Sequence, residues 1–405
     1  MMSRDDAIVS LLLVLGLYFP SSRGSEDSLF LSVACFACLS ALLLSLAWSH
    51  GTRPNAILFI SLPIMILLTV STFSIGASHF GYGIFAQFSL LALLLALDLG
   101  KVSPGRFVDA IFIAGNIINI AFGIAIIAGN EWVGQFLVSF YSASYPELVP
   151  NMVSLHKPVL AFGTHSLAGF FVYLFFWINW ETFKIRRNTL TLCLGLSNFV
   201  LLLGLTSFTS FAFSAMAFTQ IGVWLRKRSR KAFGAFTLAG VITVSCGIWM
   251  VNTQPENWGY SLTEVSKGLP DPEGSGLLAR YGSVGNQREI VEYVASHPLS
   301  PIGFNIIPYL VPGDSGPLNY VLRGSVPLVF LIYIGLYQFL RYNSHSRKFA
   351  LAFFLIVLVF ETGFAALPYI RTLYLLPFCV VYLNRIVAAA EGPAYVVGRA
   401  IVGTS

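Results

Sequence analysis

The sequence predicts an all-α polytopic membrane protein with about 12 transmembrane helices and a large loop outside the membrane that contains short helices. Of the 405 residues, 56% are hydrophobic and only 10% are charged, whereas a soluble domain carries about 25% charged residues. The mean hydropathy is +0.76. The apolar runs are continuous and do not alternate residue by residue, which argues against a β-barrel.

A transmembrane helix needs about 20 consecutive apolar residues. Such runs predict helices at about residues 7–19, 28–48, 56–75, 83–99, 108–128, 159–180, 189–206, 209–225, 233–251, 322–340, 349–367 and 370–388. The pair at 189–225 forms one long apolar stretch. As a single helix it would be about 55 Å long, too long for one crossing of a ~30 Å core. It is therefore predicted to form a tight hairpin.

Basic residues predict the orientation. With a cytoplasmic N-terminus, seventeen of the 24 lysines and arginines fall in inside segments, and the densest cluster is Arg226–Lys231. This bias follows the positive-inside rule, so the basic excess orients loops and does not indicate nucleic acid as a partner. The chain then divides into residues 1–128 (helices one to five), 129–158 (an outer loop), 159–251 (helices six to nine), 252–321 (the large outer loop with the candidate site) and 322–405 (helices ten to twelve and a cytoplasmic tail).

The large outer loop carries two arginines beside a predicted helix. In Asn286–Ser296 the apolar residues recur on one face, which predicts a short amphipathic helix that ends before Pro298. Arg280 and Arg288 flank its start, and a pair of guanidinium groups suits a diphosphate. The alternative is that they meet lipid headgroups or pair with nearby carboxylates, namely Asp271, Glu273, Glu289 and Glu292.

The outer mouth of the sixth predicted helix carries His156, Lys157 and His165. His165 lies within an apolar run, where an ionisable group is a functional candidate. The alternative for His165 is a hydrogen bond to a neighbouring backbone carbonyl. The alternative for Lys157 is an ammonium group that reaches the membrane surface along an apolar stem.

Two carboxylates complete the candidates. Asp314, before the tenth predicted helix, suits either a general base or a helix N-cap. Glu361 lies well inside a predicted helix, and a structural role is favoured for it, with Arg371 as a possible partner. No cluster of residues suits a metal, and neither a P-loop nor a GxSxG elbow occurs. The second-ranked residues of the site are Tyr281, Asn319, Tyr320, Arg323 and Glu361.

Three stretches of the chain resemble the bacterial O-antigen polymerase and O-antigen ligase family of polytopic glycosyltransferases. They are His156–Phe176 (HKPVLAFGTHSLAGFFVYLFF), Arg280 with the following helix and His297–Phe304 (HPLSPIGF), and Asp314–Phe330 (DSGPLNYVLRGSVPLVF). The chain departs from the family in two places. Thr209-Ser210-Phe211 stands where a Ser-Arg pair is common, and His156-Lys157 stands where an arginine is common.

The resemblance implies a glycosyltransferase of the bacterial inner membrane, with both termini in the cytoplasm and the large loop in the periplasm. Its substrate would be a glycan on undecaprenyl diphosphate, handled without a cofactor or metal, and a chain-length regulator is a possible further partner. Arg280, Arg288, Lys157 and His156 would hold the diphosphate. Asp314 is the first choice of base and His165 the second. The alternatives are a ligase that transfers glycan to lipid A core and a transporter of lipid-linked sugars.

Overall fold

The computed structural model of the protein describes residues 2–19, 29–77, 79–141, 148–162, 164–205, 207–238, 287–310 and 315–391. Within these ranges the chain is mainly helical and forms no strand beyond two isolated β-bridges. The helices are α1 (Arg4–Tyr18), α2 (Leu29–His50), α3 (Pro54–Ser74, with a π-helical turn at Ile57–Ser61), α4 (Tyr82–Ala96), α5 (Phe107–Ile127), α6 (Glu131–Tyr141), α7 (Leu148–Ser154), α8 (His165–Arg186), α9 (Thr189–Gly204), α10 (Phe208–Arg228), α11 (Arg288–Ser296), α12 (Gly316–Asn343), α13 (Arg347–Glu361) and α14 (Ile370–Glu391).

Five helical segments in the described part of the chain are long and apolar enough to cross a membrane: Val33–His50, Pro54–Ser74, Phe107–Ile127, Gly316–Asn343 and Ile370–Ala388. Two shorter apolar helices are Tyr82–Ala96 and Thr189–Gly204. The predicted class, an all-α membrane protein, is therefore supported. The count of twelve spans and the side on which each loop lies stay predictions.

Helices α9 and α10 confirm that the apolar stretch at 189–225 is two helices. Ser207 caps the second helix, because its side chain accepts from the backbone N–H of Ser210 while the Ser210 side chain accepts from the N–H of Ser207. The short amphipathic helix is also confirmed as α11. Of the ninth predicted helix, at 233–251, only residues 233–238 are described, and they are helical.

Helices α12 and α13 each have a boundary that differs from the prediction. Helix α12 begins at Gly316, inside the segment assigned to the large loop, because Ser315 caps it by accepting from the N–H of Leu318. It is also broken at Gly324 and Ser325, where φ of Ser325 is 57°. Helix α13 ends at Glu361, so this carboxylate lies at a helix terminus, where it is hydrogen-bonded to the following turn, and not well inside a span.

Helices α8 and α14 form the centre of the bundle. Every residue from 167 to 180 and from 370 to 383 is buried. The surrounding helices expose large apolar side chains on their outer faces, such as Phe59 and Phe73 on α3 and Phe330 on α12. Apolar surface of this kind is unfavourable in contact with water and favourable in contact with lipid. Gly16 of α1 lies directly against Tyr374 and Leu375 of α14, so the first and last described helices pack together.

The bundle has two chemically different halves. We define the upper half as the one that holds the C-termini of α1 and α13 and the N-termini of α8, α12 and α14, and the lower half as the opposite one. In the lower half Asp109 of α5 forms paired hydrogen bonds with Arg385 of α14 and lies 3.6 Å from Arg186 of α8. The basic last turns of α8 and α10 also lie in the lower half.

Candidate functional site

The buried cations of the described residues lie in one half of the bundle. Among the described residues the buried cations are Lys157, Arg323 and Arg371, which are 6%, 5% and 2% exposed, and all three lie in the upper half. Of the buried carboxylates, Asp6 and Asp98 lie in the lower half, whereas Glu361 lies in the upper half. Since a buried charge is unfavourable unless it is paired or hydrogen-bonded, the contacts of each cation indicate what it does.

The segment before α8 separates His156 from Lys157. His156 is exposed, has φ of 53°, and places Nδ1 3.3 Å from the carbonyl oxygen of Ile126 at the end of α5. Lys157 is buried, and its backbone N–H donates to the carbonyl of Met152 at 3.0 Å. The two neighbours therefore occupy different environments, and Lys157 is the one directed into the protein.

His165 is the first residue of α8. The helix begins there because the Thr164 side chain accepts a 3.2 Å hydrogen bond from the N–H of Leu167. His165 is half-buried. A short 3-10 turn, Leu160–Phe162, lies between Lys157 and His165 and is fully buried. The sixth predicted helix at 159–180 thus consists of this turn followed by a separate helix.

Arg323 holds part of the loop that precedes α12. Its Nη1 donates to the carbonyl oxygen of Gly303 at 2.8 Å, and its Nε donates to Oδ1 of Asn319 at 3.0 Å. The same loop is tied to α3, because Oγ1 of Thr72 accepts a 2.8 Å hydrogen bond from the N–H of Phe304. Arg323 and Asn319 are therefore parts of one contact that fixes the loop against the bundle.

Glu361 is completely buried, and both of its carboxylate oxygens are hydrogen-bonded. Oε1 accepts from the backbone N–H groups of Ala366 and Leu367 at 2.6 and 2.7 Å. Oε2 accepts from the phenols of Tyr320 and Tyr333 at 2.7 and 3.3 Å. These contacts join α12, α13 and the turn before α14, in keeping with the structural role favoured from the sequence.

Gly316 allows the first turn of α12 to lie close to the carboxylate of Glu361. A Cβ atom at this position would lie 1.8 Å from Oε2 of Glu361. Only glycine leaves room for the carboxylate at the first turn of the helix, where the backbone N–H groups favour a negative charge.

Arg371 is the buried residue that the sequence reasoning considered only as a partner for Glu361, and the described residues show no such pair. Its Nη1 donates to the carbonyl oxygens of Gly16 and Leu17, both at 2.9 Å. Its guanidinium carbon lies 5.9 Å from the centre of the Phe162 ring. The available signal was a charged residue at the start of an apolar run, which is by itself a functional hint.

Arg288 lies on the exposed face of α11. Its Nε is 2.6 Å from Oε1 of Glu292, one helical turn away. That hydrogen bond raises the pKa of Arg288 above its usual value. Pairing with Glu292 is one of the alternatives to diphosphate binding that the sequence leaves open for Arg288. On its other face α11 buries Ile290, which packs with Ile302 and Leu322.

The upper half therefore contains Lys157, His165, the Arg323–Asn319 contact and the Tyr320–Glu361 pair, while His156 and Arg288 are exposed. The predicted site residues Arg280, Tyr281 and Asp314 lie outside the described residues. Sequence reasoning missed Tyr333, Gly316 and the carbonyl contacts of Arg371, which all depend on helices that meet only in the fold. No family model, curated protein or solved structure matches this chain.

Proposed function

We propose that the protein is a membrane glycosyltransferase that polymerises undecaprenyl-diphosphate-linked oligosaccharide repeat units in the bacterial inner membrane, with its upper half toward the periplasm. The observation that carries the proposal is the location of the buried cations. Lys157, Arg323 and Arg371 all lie in the upper half of the described structure. Buried cations in one half of a membrane protein suit a substrate whose anionic group lies at that depth and whose lipid tail remains in the bilayer.

The reaction requires stabilisation of a leaving diphosphate. An acceptor hydroxyl of one repeat unit attacks the anomeric carbon of another, the bond from that carbon to the diphosphate oxygen breaks, and the electron pair leaves with the diphosphate. Fixed positive charge at the leaving oxygen lowers the barrier, and Lys157 supplies such a charge without a metal. The hydroxyl proton passes to a base. In this proposal the first choice of base is Asp314 and the second is His165, at the first turn of α8.

The proposal is tested with purified protein in nanodiscs and a lipid-linked repeat unit. We expect longer glycans on a gel in the presence of a chelator and without ATP. Lys157→Gln should lower the rate by about ten- to a hundredfold, because it removes a charged contact to the leaving group. The matched control is Lys101→Gln, which removes an exposed lysine paired with Asp98 in the lower half. Equal rates for the two variants would count against the proposal.

The pair Arg288 and Glu292 gives a second arm of the same experiment. If Arg288 holds the diphosphate, its pairing with Glu292 competes with substrate. Glu292→Gln should then keep or raise the rate, and Arg288→Gln should lower it. If the pair serves only the exposed face of α11, both variants should polymerise as the unmodified protein does. Product found only on lipid A core would indicate the ligase alternative.

One observation favours a transporter of lipid-linked sugars as a second candidate. Helix α12 is interrupted at Gly324 and Ser325, and discontinuous helices near the middle of the bilayer are common at transporter binding sites. The two candidates differ in the bond that is made. Movement of a lipid-linked repeat unit across a vesicle membrane, with no new glycosidic bond, would support transport over polymerisation.

A further inference from the structure

We propose that Arg371 is an oxyanion-binding residue whose Nε and Nη2 edge holds phosphate oxygens of the lipid-linked substrate. The site for an oxyanion stands on the contacts of Arg371 alone, whereas the choice of a lipid diphosphate as the ligand rests on the proposed function.

One end of the guanidinium is fixed by α1. Nη1 donates to the carbonyl oxygens of Gly16 and Leu17 at 2.9 Å each. Both carbonyls belong to the last turn of α1, where a helix leaves acceptors without intrahelical partners and carries partial negative charge. The cation is therefore held at the negative end of a helix dipole, and its orientation is set before any ligand arrives.

The other edge of the guanidinium has no partner in the described part of the chain. Nε and Nη2 are both buried and make no hydrogen bond there. These two atoms lie side by side on the planar group and present the parallel N–H donors that bind carboxylate or phosphate at two points. An internal carboxylate does not fill this role among the described residues, because Glu361 accepts from two phenols and two backbone N–H groups.

The surroundings of Arg371 fit an anion with more than one negative charge. Its guanidinium faces Phe162 at 5.9 Å, and Phe162 ends the buried segment that begins with Lys157. The same segment carries a second buried cation, Lys157, five residues before Phe162, and two cations suit a diphosphate better than a monophosphate.

The backbone of that segment is unusual. His156 and Leu160 have φ values of 53° and 54°, in the left-handed region that side chains other than glycine seldom adopt. Such strain clusters at ligand clamps and functional sites, where the surrounding structure maintains it. The segment Lys157–Phe162, whose Phe162 ring faces Arg371 of α14, is therefore one wall of the proposed site.

The test measures binding of undecaprenyl diphosphate to the full chain in nanodiscs, by native mass spectrometry or thermophoresis. Arg371→Gln should weaken binding by about ten- to a hundredfold, the effect of losing a charged hydrogen-bonded contact. Arg371→Lys keeps the charge without the fork and should weaken it several-fold. The matched control is Arg53→Gln in the lower half, since Arg53 also donates to backbone carbonyls and has a buried Nε. The affinity of the Arg53→Gln variant for undecaprenyl diphosphate should stay within about twofold of that of the unmodified protein.

Two further lipids identify the source of the anion. Undecaprenyl monophosphate should bind more weakly and depend less on Arg371. Phosphatidylglycerol should show no dependence on Arg371. An equal dependence for phosphatidylglycerol would overturn the diphosphate assignment and identify a phospholipid site.

Unchanged affinity for undecaprenyl diphosphate in both Arg371 variants would overturn the inference. If Arg371→Gln does not fold, the comparison of Arg371→Lys with the unmodified protein decides, and equal affinity overturns it. Polymer synthesis together with normal binding by the Arg371 variants would refute the inference and leave the proposed function in place. Binding that depends on Arg371 without any new glycosidic bond would support the inference and refute the proposed polymerase function.

Discussion

The phenol of Tyr320 donates a 2.7 Å hydrogen bond to the carboxylate of Glu361, across the contact between α12 and α13. Tyr333 donates to the same oxygen at 3.3 Å from the other side of the break at Gly324 and Ser325. One carboxylate oxygen thus connects the two segments of α12, before and after the break. The interruption in α12 is held at a defined angle by side chains and not by the helical hydrogen bonds that it lacks.

This relationship predicts unequal effects for the two tyrosines. Tyr320→Phe removes a short bond to a buried carboxylate and should lower the free energy of unfolding by about 1.5–3 kcal/mol. Tyr333→Phe should have a smaller effect, because its bond is longer and the residue is only half-buried. A double-mutant cycle in detergent unfolding checks whether the two bonds are coupled. Purely additive effects would show that the carboxylate does not link the two segments of α12.

Gly316 should not tolerate a larger side chain. In Gly316→Ala the new methyl group would overlap Oε2 of Glu361, and overpacking of this kind costs about 1–3 kcal/mol. Gly83→Ala in α4 is the control, since nothing lies within 4 Å of a Cβ there, and alanine should stabilise the helix by up to about 1 kcal/mol. The measurement is the melting temperature of both variants. A drop that is the same at both positions would contradict the close approach.

Arg323→Lys should release the loop before α12. A single ammonium group cannot reach both Gly303 and Asn319 with the geometry of the guanidinium, so we expect faster hydrogen exchange at Ile302–Asn305. The control is Arg341→Lys, an exposed arginine of the same helix. Exchange rates in the loop that remain unchanged in Arg323→Lys would argue that the contact with Thr72 and the backbone hydrogen bonds to Leu322 and Arg323 are enough to fix this segment.

Asp109→Asn should weaken the lower half. Asp109 contacts Arg385 and Arg186, which come from two different helices, and removing one partner of a largely buried ion pair leaves a cation without its counter-charge. We expect a loss of about 2–4 kcal/mol in unfolding free energy. Glu181→Gln, which breaks an i,i+3 pair with Lys184, should cost less than about 1 kcal/mol. Similar losses in both variants would refute the three-helix contact.

The orientation in the membrane is predicted from charge. Residues 226–231 should face the cytoplasm and residues 252–321 the periplasm. Reporter fusions at Ser229 and Ser266 check this, and a reporter that is active only in the periplasm should be silent at Ser229. Activity of that reporter at Ser229 would invert the model, and the upper half would then face the cytoplasm.

Features that depend on local composition could be predicted from the sequence. The length of the apolar stretch at 189–225 exceeds one bilayer crossing, so it had to be two helices. Likewise the spacing of apolar residues near Ile290, followed by His297-Pro298, was enough to predict α11 and its end. Both signals lie within about 40 residues of chain and need no knowledge of tertiary contacts.

The contacts of the candidate site could not be predicted in this way. An arginine in an apolar run suggests a carboxylate partner, and Glu361 was the nearest one in sequence to Arg371. In the fold Glu361 is saturated by Tyr320, Tyr333 and backbone N–H groups, and Arg371 meets the end of α1, more than 350 residues away in the chain. Backbone carbonyls without helical partners at the end of a helix can be identified only when the helix boundary is known.

The packing of α1 against α14 has a consequence for biogenesis. Among the described helices the ribosome makes α1 before all others, whereas α14, which covers Gly16 and donates to its carbonyl through Arg371, emerges last. Until then α1 can pack against α5, as in the hydrogen bond from Tyr18 to the carbonyl of Gly115, but the face around Gly16 lacks the helix that covers it in the fold. A ribosome stalled before residue 370 would leave the carbonyl oxygens of Gly16 and Leu17 without the guanidinium that donates to them in the complete fold.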